Sequence, residues 1–181
     1  MNAKRAGRAL GDPSTHDELS EVRRRFARNL RQARETAGLT LYALAKIASC
    51  SVQQLAQIET TVANVKLDTI SRLARALSVT EIDLLMPDMN NVPIKRGRRP
   101  PVEPLSKTEP TEFRRRFARN LLKKRLAARL YQKALSNAAG VQVSAVGEIE
   151  VHAKNVTLDT VTRLAKALGV SEIDLLGPEN G

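Results

Sequence analysis

Residues 39–59 read Leu39-Thr-Leu-Tyr-Ala-Leu44-Ala-Lys-Ile-Ala-Ser49-Cys-Ser-Val-Gln-Gln-Leu55-Ala-Gln-Ile-Glu59. Leu41, Leu44, Ala45 and Ala48 step by three or four, the spacing of one face of a short helix. Ser51 is a good cap for a second helix whose inward residues are Leu55 and Ile58. Only a tight turn fits between them, so the stretch predicts a helix-turn-helix unit.

The flanks extend the pattern. Val22, Phe26, Leu30, Ala33 and Ala37 line one face of a preceding helix, which Gly38 ends. Leu67, Ile70, Leu73, Ala74 and Leu77 make a following one. Thr80-x-x-Asp83 reads as a capping box opening a fifth, with Ile82 and Leu85 inward. No alternating Val/Ile/Thr run is long enough for a strand.

The whole unit occurs twice. Glu21-Val-Arg-Arg-Arg-Phe-Ala-Arg-Asn-Leu30 returns as Glu112-Phe-Arg-Arg-Arg-Phe-Ala-Arg-Asn-Leu121, and an offset of 91 carries residues 21–87 onto 112–178 without a gap. About 35 of the 67 pairs are identical, so the chain is read as a duplication. A domain of this size is small but can fold alone. Residues 88–111 hold five of the eight prolines and have no apolar period, so they read as a linker, and residues 1–20 as a flexible arm. The predicted architecture is all-α: two tandem five-helix domains, 21–87 and 112–178, joined by a Pro-rich basic linker. In the tight turn, Gly140 of the second copy replaces Ser49, which tolerates a left-handed backbone less well.

Composition narrows the function. The 181 residues carry 30 Lys and Arg against 19 Asp and Glu, a net charge of +11, which suggests a polyanionic partner, nucleic acid before anionic membrane. The excess sits on the first copy (+4), the linker (+2) and the second copy (+6), not on a tail. One cysteine excludes an internal disulfide framework and a cysteine-based zinc site. No apolar run approaches the roughly 18 residues of a membrane span, and the basic N-terminus leads into Gly-Asp-Pro-Ser, so a cytoplasmic protein is expected. No acid/base constellation, phosphate-cradling Gly loop, nucleophile with a His partner or metal cluster is present. An enzyme is not expected, nor any cofactor or metal; His16 and His152 lie in separate segments, and Cys50, where the second copy has Val141, reads as an apolar filler.

The spacing Leu39-Thr-x-x-x-Leu44-Ala45, Ser51-x-x-x-Leu55-x-x-Ile58-Glu59, Leu67-x-Thr69-Ile70-x-x-Leu73-Ala74-x-Ala76-Leu77-x-Val79 and Ile82-x-x-Leu85 resembles the Cro/C1-type (XRE) family of lambda-repressor-like helix-turn-helix DNA-binding domains. Leu130, Ala134, Leu135, Val146, Ile149, Glu150, Leu158, Leu164, Ala165, Ala167, Leu168 and Val170 mark the second copy. The resemblance implies that the second helix of each motif lies in a major groove. Val52, Gln53, Gln54 and Gln57 then face the bases. A carboxamide bonds adenine in a bidentate pair and Val52 or Ala56 meets a thymine methyl, although exposed Gln also simply keeps a helix soluble. The second copy is poorer here, with Val143, Ser144, Ala145, Gly147 and Glu148, while Gln132 and Lys133 open its first motif helix, where the family grips phosphate or base. Thr61, Asn64 and Lys66, and His152, Lys154 and Asn155, are the expected phosphate contacts, which fix register without specifying sequence. Arg34 with Glu59, and Arg125 with Glu150, match the family's internal ion pair.

These expectations give a division of labour, with more base reading by the first copy and more backbone grip by the second. A rival is a second copy that has lost DNA binding and dimerises. In the linker, Lys95-Arg96-Gly97-Arg98-Arg99-Pro100 is similar to an AT-hook, whose arginines enter a narrow minor groove; a solvated charge run is the alternative. A flexible chain of about 24 residues spans roughly 27 Å and stretches to about 80 Å, so it can join domains on half-sites about 34 Å apart. The predicted function is a sequence-specific regulator of transcription on double-stranded DNA, a repressor before an activator that meets RNA polymerase. It acts as an intramolecular pseudo-dimer or as a homodimer through helix five. An antitoxin-like or anti-activator module with secondary DNA binding is the competing function.

Overall fold

The computed structural model describes residues 13–61, 63–94 and 109–178, the side chains of 13–20 and of 61 excepted. The first copy contributes α1 (Pro13–Thr36), α2 (Leu41–Ile47), α3 (Val52–Thr61), α4 (Leu67–Leu77) and a 3-10 turn at Asp83–Leu85. The second contributes α5 (Glu112–Ala127), α6 (Gln132–Ala138), α7 (Ala145–His152), α8 (Leu158–Leu168) and α9 (Glu172–Leu176). Among the described residues there is no strand beyond one isolated bridge, Lys66 to Thr157.

Each helix follows from its sequence. Val22, Phe26, Leu30, Ala33 and Ala37 are all buried along α1. Thr40 caps α2 by accepting from Ala43 N, and Ser51 Oγ accepts from Gln54 N at 3.0 Å to cap α3. Both capping boxes form: Thr80 with Asp83, and Ser171 with Asp174. Asn29 and Asn120, each almost wholly buried, tie α1 and α5 to the end of their own copy. Asn29 donates to the carbonyls of Leu84 and Met86, and Asn120 to those of Leu175 and Gly177.

Three expectations need correction. α1 begins at Pro13, inside the stretch read as an arm, because proline suits the first helical position, where its missing N–H has no role. The fifth helix of the first copy is only a 3-10 turn, ending where Met86 turns extended ahead of Pro87. The start of the segment read as linker belongs to the first domain: Met89 is buried, and Val92 and Ile94 pack on the core.

The two copies are not beads on a string. One continuous apolar core runs through both, with α1 against α8 and α4 against α5. The polar contacts across this seam exchange under the offset of 91. Arg23 pairs with Asp159, and Arg114 with Asp68 at 3.2 Å. Arg25 faces Glu172 at 3.7 Å, and Arg116 faces Glu81 at 4.0 Å. Such reciprocity is the pattern of an isologous two-fold interface, here within one chain.

Candidate nucleic-acid interface

The outward face of α3 is built by its own periodicity. Leu55 and Ile58 are buried beneath it, and Val52, Gln53, Gln54 and Gln57 all stand exposed. Behind this row Arg34 grips Glu59 in a bidentate pair, 2.8 Å for each bond, and gives its third bond to the Leu39 carbonyl at 3.0 Å. The guanidinium is thereby held above its ordinary pKa, chiefly by the Glu59 hydrogen bond. α1, α3 and the start of α2 are thus fixed around one buried charge pair. Thr61's side chain lies outside the described residues.

The second copy keeps this brace: Arg125 holds Glu150 at 2.7 and 2.9 Å and bonds the Leu130 carbonyl at 2.7 Å. Its outward face differs. α7 starts only at Ala145, so Val143 and Ser144, expected on the helix, sit in the turn before it. The cause is local: Gln142 stands where the first copy has the capping Ser51, and Gly147 lowers helix propensity. Gln132, expected at phosphate or base, donates to Glu150 Oε2 at 2.7 Å. Its amide oxygen lies 3.2 Å from where a Cβ on Gly147 would sit, so the glycine makes its room. Glu148 is paired with Lys154, which with Ser144 lowers the Glu148 pKa below its ordinary value. Glu148 therefore stays charged and already holds the nearby lysine. His152 and Lys133 are exposed.

The loops after α3 and α7 meet at the seam. Leu67 N donates to the Val156 carbonyl at 3.0 Å, and Leu158 N to the Val65 carbonyl at 2.8 Å. Asn64 and Asn155, expected at phosphates, reach across instead: Asn155 Oδ1 accepts from Asp68 N at 3.2 Å and Asn64 Oδ1 from Asp159 N at 3.3 Å. The physical reason is that α4 and α8 have no cap of their own, since neither Lys66 nor Thr157 makes a side-chain capping bond. Each asparagine therefore satisfies an orphan N–H in the first turn of the other copy's helix. Lys66 remains exposed on this strip.

Two aromatic residues escaped the sequence reading. Tyr42, at the start of α2, is 67% exposed, and Tyr131, just ahead of α6, is 84% exposed. Their signal was available: each sits at an outward position of a helix start whose inward residues were already assigned. Lys95, Arg96, Arg98 and Arg99 lie outside the described residues. No group of three or more potential metal ligands occurs among the described residues, and no helix there is long and apolar enough to cross a membrane.

A family model described as a helix-turn-helix domain matches residues 25–85, and one described as helix-turn-helix matches residues 121–175. No curated protein matches the chain. Among solved structures, the hypothetical transcription factor NHTF from Neisseria is similar at 27% identity, over 41% of this chain and 88% of that one, with a TM-score of 0.36. The two matches cover both copies of the repeat and support DNA as the partner of a DNA-binding regulator. The chain belongs to the Cro/C1-type (XRE) helix-turn-helix family and carries two of its domains in tandem.

Proposed function

We propose that this chain is a sequence-specific regulator of transcription, a repressor in the first instance, that sets both domains on one duplex in successive major grooves. The observation that carries the reading is the backbone bridge between Lys66 and Thr157, immediately behind the two reading helices. Five residue steps of chain separate Thr61 from Lys66, and five separate His152 from Thr157. At about 3.6 Å per residue, with about 5 Å across the bridge, the helix ends lie no more than about 40 Å apart. That range includes half-sites one helical turn apart, about 34 Å, and excludes two turns. One chain then does what family members otherwise do as dimers.

The two heads contribute unequally. The Gln53, Gln54 and Gln57 row supplies base readout, whereas α7, with Gln132 and Lys154 engaged internally, follows the groove with fewer base contacts. The operator is therefore two half-sites of unequal information content. The test is binding to a selected duplex across a salt series. Affinity should fall steeply with salt, by a log–log slope of about 0.9 per phosphate contacted. Gln53→Ala should relax preference at one position, costing about 1–3 kcal/mol there, and Lys133→Ala should weaken all sequences about equally. Salt-independent affinity, or no binding near physiological salt, defeats the reading.

One observation favours a second reading, in which the second copy also holds a protein. Leu126, Tyr131 and Val151 are 59%, 84% and 72% exposed where the first copy has Glu35, Thr40 and Thr60.

A further inference from the structure

The seam is symmetric in its ion pairs but not in its filling. In one half, Phe113 is buried, and the guanidinium of Arg116 lies over its ring at 5.4 Å, with Arg116 Nε bonded to the Leu176 carbonyl at 2.8 Å. In the other half the counterpart of Phe113 is Val22. Beside it a cavity of about 290 Å³ opens between the copies, walled by Val22, Thr162, Ala165 and Val170, with Glu21, Lys166 and Glu172 completing its lining.

Two buried polar atoms are orphaned in this half. Thr162 Oγ1 has no hydrogen-bond partner although the residue is only 5% exposed, and Arg25 Nε has none either. Their counterparts are satisfied: Ser71 Oγ donates to Glu81 at 2.9 Å, and Arg116 has both a ring and a carbonyl. Unpaired buried polar atoms are rare in folded chains and costly to keep.

We infer that the cavity beside Val22 is a binding site for a compact neutral aromatic molecule bearing one hydroxyl. Its ring takes the place that Phe113 fills in the related half. Its hydroxyl meets Thr162 Oγ1, which can donate or accept. A charged head group fits worse, because the carboxylates of Glu21 and Glu172 and the ammonium of Lys166 present opposite signs to the same cavity. Because the seam sets the spacing of α3 and α7, occupancy also tunes operator affinity; that consequence rests on the proposed function, whereas binding does not.

Phenol and toluene are the probes, used on the full chain without DNA and followed by ligand-detected NMR and thermal melting. Phenol should bind saturably, raise Tm and exceed toluene in affinity by about fivefold to tenfold, the worth of one buried hydrogen bond. Val22→Phe should fill the site: it should melt higher than the parent and lose the response to both probes. Thr162→Val should keep toluene binding and erase the preference for phenol. Equal phenol binding by parent and Val22→Phe, no saturable binding by the parent, or an unchanged preference in Thr162→Val overturns the inference. A phenol response without any change in DNA affinity would sever only the link to regulation.

Discussion

At the scale of single residues, the duplication supplies its own control experiment. Three positions of positive φ correspond between the copies, Gly38, Ser49 and Ser78 in the first with Arg129, Gly140 and Gly169 in the second, and Ala153 adds a fourth to the second among the described residues. A side chain in the left-handed region costs about 1–2 kcal/mol, offset in part by the greater freedom of glycine in the unfolded chain. Ser49→Gly and Arg129→Gly should each stabilise by about 0.5–1 kcal/mol and Gly140→Ala should destabilise by a similar amount, read as shifts in Tm. A second prediction concerns the buried brace. Arg125 and Glu150 have side chains only 9% and 3% exposed. Arg125→Ala, which strands the carboxylate, should cost about 3–5 kcal/mol in urea unfolding. The apolar periodicity of α1 and α4, the cap at Ser51 and the turn at Ser49 were all legible because they depend on residues close in sequence. The partners of Asn29, Asn64 and Asn155 were not, because each lies far along the chain and is chosen by an unsatisfied backbone group.

At the scale of elements, α3 and α7 carry the difference between the copies. Gly147→Ala should raise the helicity of α7 and stabilise by up to about 1 kcal/mol. The tight contact falls on the far end of the Gln132 side chain, which can yield by a few tenths of an ångström. The opening of α9 gives a pH prediction. Asp174 titrates below its ordinary value, chiefly because Ser171 hydrogen-bonds its carboxylate. A depressed acid contributes stability above its unfolded pKa of about 4 and loses it as pH falls through the folded value. The Tm gap between the parent and Asp174→Asn should therefore be present at pH 7 and shrink below about pH 4; a gap constant down to pH 2 would contradict the assignment. The type of these elements was clear from spacing, but the late start of α7 was not, since it depends on a missing cap and a glycine acting together.

At the scale of the molecule, the seam changes what the basic charge means. From sequence, the net charge of +11 points to a polyanion, and the Arg-Arg-Arg runs at 23–25 and 114–116 supply part of it. Arg23, Arg25, Arg114 and Arg116 instead face acids of the other copy. The linker length allowed many arrangements, and only packing selects this one, so the seam was the least legible feature of the chain. Asp68→Arg with Asp159→Arg should open it: the radius of gyration in solution scattering should rise, and adding Arg23→Asp with Arg114→Asp should restore the compact value. Unchanged scattering in the first variant would contradict the ion-pair account. The most direct measurement for the whole account is hydroxyl-radical footprinting of a complex whose stoichiometry is fixed by analytical ultracentrifugation. The account predicts one chain per duplex, protecting two windows about 10 base pairs apart. A single window per chain, or two chains needed for two windows, would contradict it.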